Sequence, residues 1–132
     1  MGGWVGSLAM VSRIRQWTID VQDVDVMIAF WSRALGYRVD RGDDGAAKLY
    51  PPDDAPAETP TVWLQPSAGP KSGKNRTHPD LRADDVDAEV DRLIGLGARH
   101  ADVGQGDEDR FVVLADPEGN EVCLLRNEPR AC

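Results

Sequence analysis

Two segments of the chain carry apolar residues at helical spacing, and they begin and end alike. The first opens with Asp23-Val24-Asp25 and ends with Leu35-Gly36, and the second opens with Asp85-Val86-Asp87 and ends with Leu96-Gly97. Each leading aspartate is a predicted helix N-cap, and each glycine suits the left-handed position that ends a helix. The segments start about 60 residues apart, which predicts two similar modules. The apolar stripes are Val26, Ala29, Phe30 and Ala34, and Val86, Val90, Leu93 and Ile94.

Short strands surround each predicted helix. In the first strand, apolar Trp17, Ile19 and Val21 alternate with polar residues, so the two sets face opposite sides of a sheet. The order β-α-β-β-β, twice, predicts an α+β domain with helices packed on one face of the sheets. The predicted strands are Arg15–Val21, Tyr37–Arg41, Ala46–Tyr50, Thr61–Gln65, Thr77–Ala83, Arg99–Val103, Arg110–Ala115 and Glu121–Arg126. The residues predicted to be buried between helices and sheets are Trp17, Ile19, Phe30, Leu64, Leu81, Leu93 and Leu124.

The same pattern predicts the domain organisation. Module one covers residues 13–66 and module two covers 76–127, and together they form one domain. A polar linker rich in glycine and proline joins them over residues 67–75. Residues 1–12 are predicted to be a flexible leader and residues 128–132 a short tail.

Charge and composition narrow the classes of function. The 132 residues include 23 acidic and 15 basic ones, which gives a net charge of −8. An acidic surface repels phosphate, so binding to nucleic acids or to anionic membranes is not expected, whereas cations are attracted. Two cysteines are too few for a disulfide scaffold and indicate a reducing compartment. No apolar run is long enough to cross a bilayer, and a cytoplasmic location is expected.

Four short motifs in register carry a family resemblance. They are Phe30-Trp31…Leu35-Gly36-Tyr37, Lys74-Asn-Arg-Thr-His78, Leu96-Gly97-Ala98 and Asp116-Pro-Glu-Gly-Asn120. With them, residues 13–127 resemble the vicinal oxygen chelate superfamily, which includes glyoxalase I, extradiol dioxygenases and bleomycin resistance proteins, and more narrowly its glyoxalase-like domains. The resemblance implies two modules paired into a U-shaped open barrel, a divalent metal in many members, and a homodimer with twofold symmetry.

The family's metal ligands fall on unusual residues in this sequence. The resemblance places two ligands at Gln16 and His78, a third at Trp63 or Gln65, and a fourth at Cys123. Glutamates are usual at the third and fourth positions, and in glyoxalase I a glutamate moves the substrate proton, which needs a carboxylate with a tuned pKa. Glyoxalase I activity is therefore not expected.

Each metal candidate also has a plainer interpretation. His78 is either a ligand or a strand histidine without one, and Gln16 is either a neutral oxygen ligand or a cavity residue held by hydrogen bonds. Cys123 is either a thiolate, which favours zinc, or a small buried apolar residue. The residues establish no cofactor. A divalent metal is the candidate, and zinc suits a thiolate best.

Strand alternation, together with the resemblance, predicts a ligand cleft. Its residues are Thr18, Asp20, Trp63, Gln65, Asp80, Arg82 and Glu121. Acidic walls and one flat indole suit a small organic molecule that is cationic or aromatic. Binding of such a molecule without chemistry is the first functional hypothesis. The alternative is a metal-dependent lyase, isomerase or dioxygenase acting on vicinal oxygens.

Overall fold

A computed structural model describes residues 11–67, 69–101 and 110–126. Module one contains β1 (Gln16–Val21), α1 (Val24–Leu35), β2 (Arg38–Arg41), β3 (Ala47–Tyr50) and β4 (Thr61–Pro66). Module two contains β5 (Asp80–Arg82), α2 (Val86–Leu96), β6 (Arg99–His100), β7 (Phe111–Ala115) and β8 (Glu121–Leu125). The repeated element order and the α+β class are thus confirmed. None of the described helices is long and apolar enough to cross a membrane.

Each module forms its own four-stranded sheet. Sheet A has the strand order β1-β4-β3-β2 and sheet B the order β5-β8-β7-β6, with the first pair of each sheet parallel and the other pairs antiparallel. No hydrogen-bonded strand pair joins the two sheets within the described ranges. The two halves of the expected barrel are therefore present, while its closure is not seen in the described residues.

The helix ends follow the chemistry predicted for them. Asp23 accepts a hydrogen bond from the Val26 N–H at 3.2 Å, and Asp85 accepts one from the Ala88 N–H at 3.1 Å. Both helices end at a glycine with positive φ, 70° at Gly36 and 127° at Gly97. Because side chains with a Cβ rarely adopt these angles, the glycines stop both helices at equivalent places.

One continuous apolar core lies under the inner faces of both sheets, that is, the faces turned toward the helices. Phe30, Leu64, Leu93 and Leu124 are fully buried there, as predicted, and Ile19 and Leu81 pack against them from its edge. Further contributors from the helices and strands are Val21, Met27, Trp31, Leu49, Val62, Val86, Val90, Leu114 and Val122.

Three residues predicted to be apolar core face solvent instead. Trp17 is 48% exposed, because it stands near the start of an edge strand, before the part of β1 that packs on the core. Val26 and Ile94, both assigned to helical stripes, are also exposed. Their helices turn only a narrower stripe, centred on Phe30 and Leu93, toward the core.

Some predicted strands are also shorter in the structure. The strand predicted for Thr77–Ala83 is reduced to β5, so His78 precedes the strand and lies outside it. The strand predicted for Arg99–Val103 is reduced to β6, and its last two residues lie outside the described part of the chain. Residues 1–10 of the predicted leader and the whole predicted tail also lie outside it.

A buried carboxylate joins the two modules. Asp116, in the turn before β8, is fully buried and accepts a hydrogen bond from Trp31 Nε1 of α1 at 3.0 Å. It also accepts from the Glu118 and Asn120 amides and from Asn120 Nδ2, at 2.9 to 3.2 Å. A buried charge is tolerated when donors surround it in this way. Trp31 is thus both a packing residue of the core and a link between modules.

Two surface contacts reinforce this link. The Glu118 carboxylate accepts hydrogen bonds from the backbone amides of Gln22 and Asp23, at 2.6 to 3.0 Å, just before α1. Arg92 of α2 donates to the carbonyls of Arg33 and Ala34, at 3.1 and 3.0 Å, at the other end of α1. Module two therefore supplies a negative group at the N-terminus of α1 and a positive group at its C-terminus, which complements the helix dipole.

Candidate functional site

The outer face of sheet A, turned away from the helices, carries an aromatic platform. Trp63 lies at its centre, paired in register with Thr18 of β1 and Lys48 of β3. Its indole Nε1 donates a hydrogen bond to Gln65 Oε1 at 2.7 Å, which fixes the orientation of the ring. The ring is half-buried. A flat apolar surface framed by polar groups can hold a planar ligand.

The polar neighbours of this platform are held by local hydrogen bonds. Gln16 Oε1 accepts from Thr61 Oγ1 at 2.9 Å, and Asp20 Oδ1 accepts from Ser67 Oγ at 3.0 Å. The Lys48 ammonium lies 5.3 Å from the centre of the Tyr50 ring, a cation–π contact. The charged group directly beside Trp63 is therefore a cation, which the acidic composition of the chain did not predict.

The outer face of sheet B is built from the equivalent positions, but it is covered on β7 and β8, while Asp80 and Arg82 at its β5 edge are exposed. Glu121 and Cys123 are buried, together with Val113 and Ala115, their neighbours on β7. Lys71 of the linker forms a 2.7 Å ion pair with Glu121, and the Asn75 N–H donates to the same carboxylate at 2.5 Å. By contrast, none of the outer-face residues on β1, β3 and β4, all of which are described, is buried.

The environment of Glu121 keeps it ionised. Burial by itself raises the pKa of this carboxyl, but hydrogen bonds from Lys71 and from the Asn75 amide outweigh that effect. The net result is a pKa below the usual value. Glu121 is thus an anchor for the linker, and its charge is compensated by Lys71.

A group of possible metal donors lies at the β5–β8 edge. His78, Asp80 and Cys123 each offer one donor atom, and these atoms lie within 4.8 Å of one another. His78 Nδ1 is 3.1 Å from Asp80 Oδ1, yet the contact lacks hydrogen-bond geometry, so this buried nitrogen has no hydrogen-bond partner among the described residues. A buried nitrogen without a partner is costly unless something binds it.

Cys123, however, is disulfide-bonded in the structure. This differs from the thiol expected from the low cysteine count. A disulfide sulfur carries no thiolate charge, and the thiolate is the form that binds metal. The three residues therefore suit zinc only when Cys123 is reduced. An imidazole, a carboxylate and a thiolate would then lie within reach of one ion.

The predicted site residues are divided between the two sheets. Sheet A or its outer face holds Gln16, Thr18, Asp20, Trp63 and Gln65, and sheet B or its edge holds His78, Asp80, Arg82, Glu121 and Cys123. The structure brings His78 and Cys123 together as expected, with Asp80 beside them. Gln16 is on the other sheet, hydrogen-bonded to Thr61. Both candidates for the third ligand position, Trp63 and Gln65, are on the outer face and bonded to each other.

Sequence reasoning missed two lysines that shape these faces. Lys48 could have been found, because it alternates with the buried Ala47 and Leu49 on β3 and must therefore point to the outer face. Lys71 lies in an irregular linker, where no periodicity indicates which way a side chain points.

The fold defines a class of α+β protein in which two β-α-β-β-β units form one domain. In this chain the domain also carries the possible metal donors at the edge of sheet B. Within that class the chain belongs to the family described as the glyoxalase-like domain, which matches residues 16–125. The resemblance inferred from the four motifs is therefore confirmed.

Solved structures show the same fold at low sequence identity. Fosfomycin resistance protein FosX from Mesorhizobium loti is 16% identical, with a TM-score of 0.66 over 89% of this chain and 94% of its own. A glyoxalase/bleomycin resistance protein/dioxygenase family enzyme from Burkholderia phytofirmans PsJN is 18% identical, with a TM-score of 0.63 over 86% and 97%. TnmS3, an antibiotic binding protein from Streptomyces sp. CB03234, is 22% identical, with a TM-score of 0.57 over 87% and 95%. No curated protein matches the chain in sequence.

Proposed function

We propose that this protein binds a small organic molecule on the outer face of sheet A, with the Trp63 indole as the contact surface. The observation that carries the proposal is the contrast between the two outer faces. The face around Trp63 remains accessible, whereas the equivalent face of sheet B is covered around Glu121 and Cys123. The binding of antibiotics by TnmS3, which shares the fold, is consistent with a binding role.

The experiment is a thermal-shift screen of small aromatic and heterocyclic compounds. A compound bound on Trp63 should raise the Tm of the native protein by mass action. Trp63→Leu should abolish that rise, and Trp63→Phe, which keeps a flat ring, should retain most of it. Equal stabilisation of the Leu and Phe variants by every hit would contradict the proposal.

Binding without glyoxalase I chemistry follows from the residues at the ligand positions. Gln16, Trp63 and Gln65 offer no ionisable carboxyl, and Cys123 stands where a glutamate would bind metal and move a proton. We expect no measurable turnover of the glutathione–methylglyoxal adduct with added zinc or nickel. Robust turnover of that adduct would refute this part of the proposal.

The second candidate function is a metal-dependent lyase, isomerase or dioxygenase, and the buried Nδ1 of His78, which lacks a hydrogen-bond partner in the described part of the chain, favours it. His78, Asp80 and reduced Cys123 would hold the ion, and zinc there would supply Lewis acidity toward vicinal oxygens. Zinc binding is measured by competition with a chromophoric chelator, with and without a phosphine reductant. Reduced protein should bind zinc weakly, and His78→Ala should lose it while His100→Ala, which changes the exposed histidine of β6, should not.

We also propose that the working form is a homodimer with twofold symmetry. Strands β1 and β5 each form one of the two edges of their sheets among the described residues, and exposed edges are commonly covered by a partner chain. The small-molecule face of sheet A would then lie beside the partner's sheet B, and the cleft would draw residues from both chains.

A further inference from the structure

The start of β1 borders a groove that the ligand positions predicted from the sequence do not explain. Two cavities, of about 510 and 390 Å³, share Arg13, Ile14, Arg15 and Lys48 as lining residues. We call this the β1 groove. It adjoins the outer face of sheet A, since Lys48 belongs to both.

The apolar part of the β1 groove is unusually exposed. Of the six large hydrophobic side chains exposed in the described part of the chain, three line this groove: Val11, Ile14 and Trp17. Ile14 is 59% and Trp17 48% accessible to solvent. Clustered exposed apolar residues mark binding surfaces more often than scattered ones do.

The charged part of the β1 groove is positive, although the protein is strongly acidic overall. Glu58, the carboxylate among the lining residues, is paired with Arg13 at 2.5 Å. Neither Arg15 nor Lys48 forms an ion pair among the described residues, although Asp40 of β2 lies opposite Lys48 in the strand register. Two cations therefore stand beside an apolar surface, a combination that favours an anion with an apolar body.

We infer that the β1 groove binds a small amphipathic anion, such as an aromatic carboxylate, with its anionic group at Arg15 and Lys48 and its ring against Trp17 and Ile14. This inference goes beyond the proposed function, because it names a binding site separate from the Trp63 platform and states the charge of the ligand. Its anionic ligand differs from the cationic one expected from Asp20, Asp80 and Glu121, of which Asp80 and Glu121 belong to sheet B and Asp20 lies five residues along β1 from Arg15.

The test compares two probes of equal shape, 2-naphthoate and 2-naphthamide, by calorimetric titration of the full chain. The carboxylate should bind about tenfold more tightly than the neutral amide. Its affinity should fall with added salt, because the cations are exposed to solvent. Equal affinity of the two probes, or no binding of 2-naphthoate, would overturn the inference.

Variants locate the binding. Arg15→Gln and Lys48→Gln should each weaken 2-naphthoate about fivefold and leave 2-naphthamide unchanged. Trp17→Leu should weaken both probes. The control is Arg126→Gln, which removes the same charge from the surface of module two, where Arg126 pairs with Asp87, and should change neither affinity by more than about twofold.

The outcomes also separate this inference from the proposed function. If 2-naphthoate binding depends on Trp63 but not on Arg15, Lys48 or Trp17, the protein binds small molecules on sheet A and the β1 groove is not the site. If no compound in the thermal-shift screen depends on Trp63 while 2-naphthoate depends on Arg15 and Trp17, the groove binds the anion and the aromatic platform has another role. Circular dichroism of each variant confirms that the fold is retained.

Discussion

Asp116→Asn should destabilise the protein far more than a usual surface substitution. The side chain keeps its shape, but one carboxylate oxygen becomes an amide nitrogen that faces hydrogen-bond donors. If Oδ2 is replaced, the Trp31 indole loses its acceptor, and if Oδ1 is replaced, the Glu118 and Asn120 amides lose theirs. Each choice leaves at least one buried N–H unpaired next to another donor.

The magnitude follows from the burial of these groups. A hydrogen bond to a charged group is worth about 1.5–3 kcal/mol, and an unpaired buried donor costs about 1–3 kcal/mol. With one of each lost, we expect the free energy of unfolding to fall by about 3 kcal/mol. Urea unfolding with an m-value of about 2 kcal/mol/M would show this as a midpoint lowered by roughly 1.5 M. For a domain of this size that is a large share of the total stability.

A double-mutant cycle isolates the bond between modules. Trp31→Phe removes the indole N–H together with some ring volume, and the double variant with Asp116→Asn should be about 1.5 kcal/mol more stable than additivity predicts. The control is Tyr37→Phe, which removes a hydrogen bond to the Pro60 carbonyl inside module one, and it should be additive with Asp116→Asn. Additivity of Trp31→Phe and Asp116→Asn within about 0.5 kcal/mol would refute the link.

Three further predictions concern other parts of the molecule. Gly36→Ala should lower the free energy of unfolding, measured with urea, by about 1 kcal/mol. Gly97→Ala should lower it further, because φ is 127° at Gly97 and a Cβ would lie 3.3 Å from the Pro117 ring. Equal losses for the two variants would contradict this. Glu121→Gln should be less stable than the wild type at pH 7. The difference in stability should shrink as the pH falls below about 4.5 through the lowered pKa of Glu121, because protonation then removes the Lys71 ion pair from the wild type too. A difference independent of pH would be inconsistent with that pair. Light scattering should give twice the chain mass of 14.4 kDa at micromolar concentration, and a monomer mass would argue against the proposed dimer.

The fold was predictable because its signals are local and repeated. An aspartate, an apolar stripe and a glycine recur at matching places, and each has a direct physical role that the structure shows. Strand alternation likewise placed Trp63 and Gln65 on one face and Leu64 on the other. The errors occur where a residue's environment depends on how far an element extends. Trp17 lies on the same face of β1 as Ile19, as predicted, but stands beyond the edge of the core.

The site was less predictable, because it depends on contacts between distant segments. The ion pair of Lys71 with Glu121 joins an irregular linker to a strand 50 residues later, and no pattern along the chain encodes it. The disulfide of Cys123 changes the chemistry of the predicted metal donors in the same way. The sequence also suggested acidic walls made by Asp20, Asp80 and Glu121, whereas the structure separates these residues between the two sheets and places Lys48 beside Trp63.

The two modules have the same element order but offer different outer surfaces. In module two, Glu121 holds the linker through Lys71 and Asn75, and the outer face beneath it is buried at Cys123 and its neighbour on β7. In module one, the strand that corresponds to β8 is β4, which carries the accessible Trp63. A repeated fold needs only one of its two equivalent faces for a ligand, and the other can serve to hold the linker in place. This division explains why the residues that were expected to form one acidic cleft lie in two surroundings, one covered around Glu121 and Cys123 and one open and aromatic with Lys48 beside Trp63.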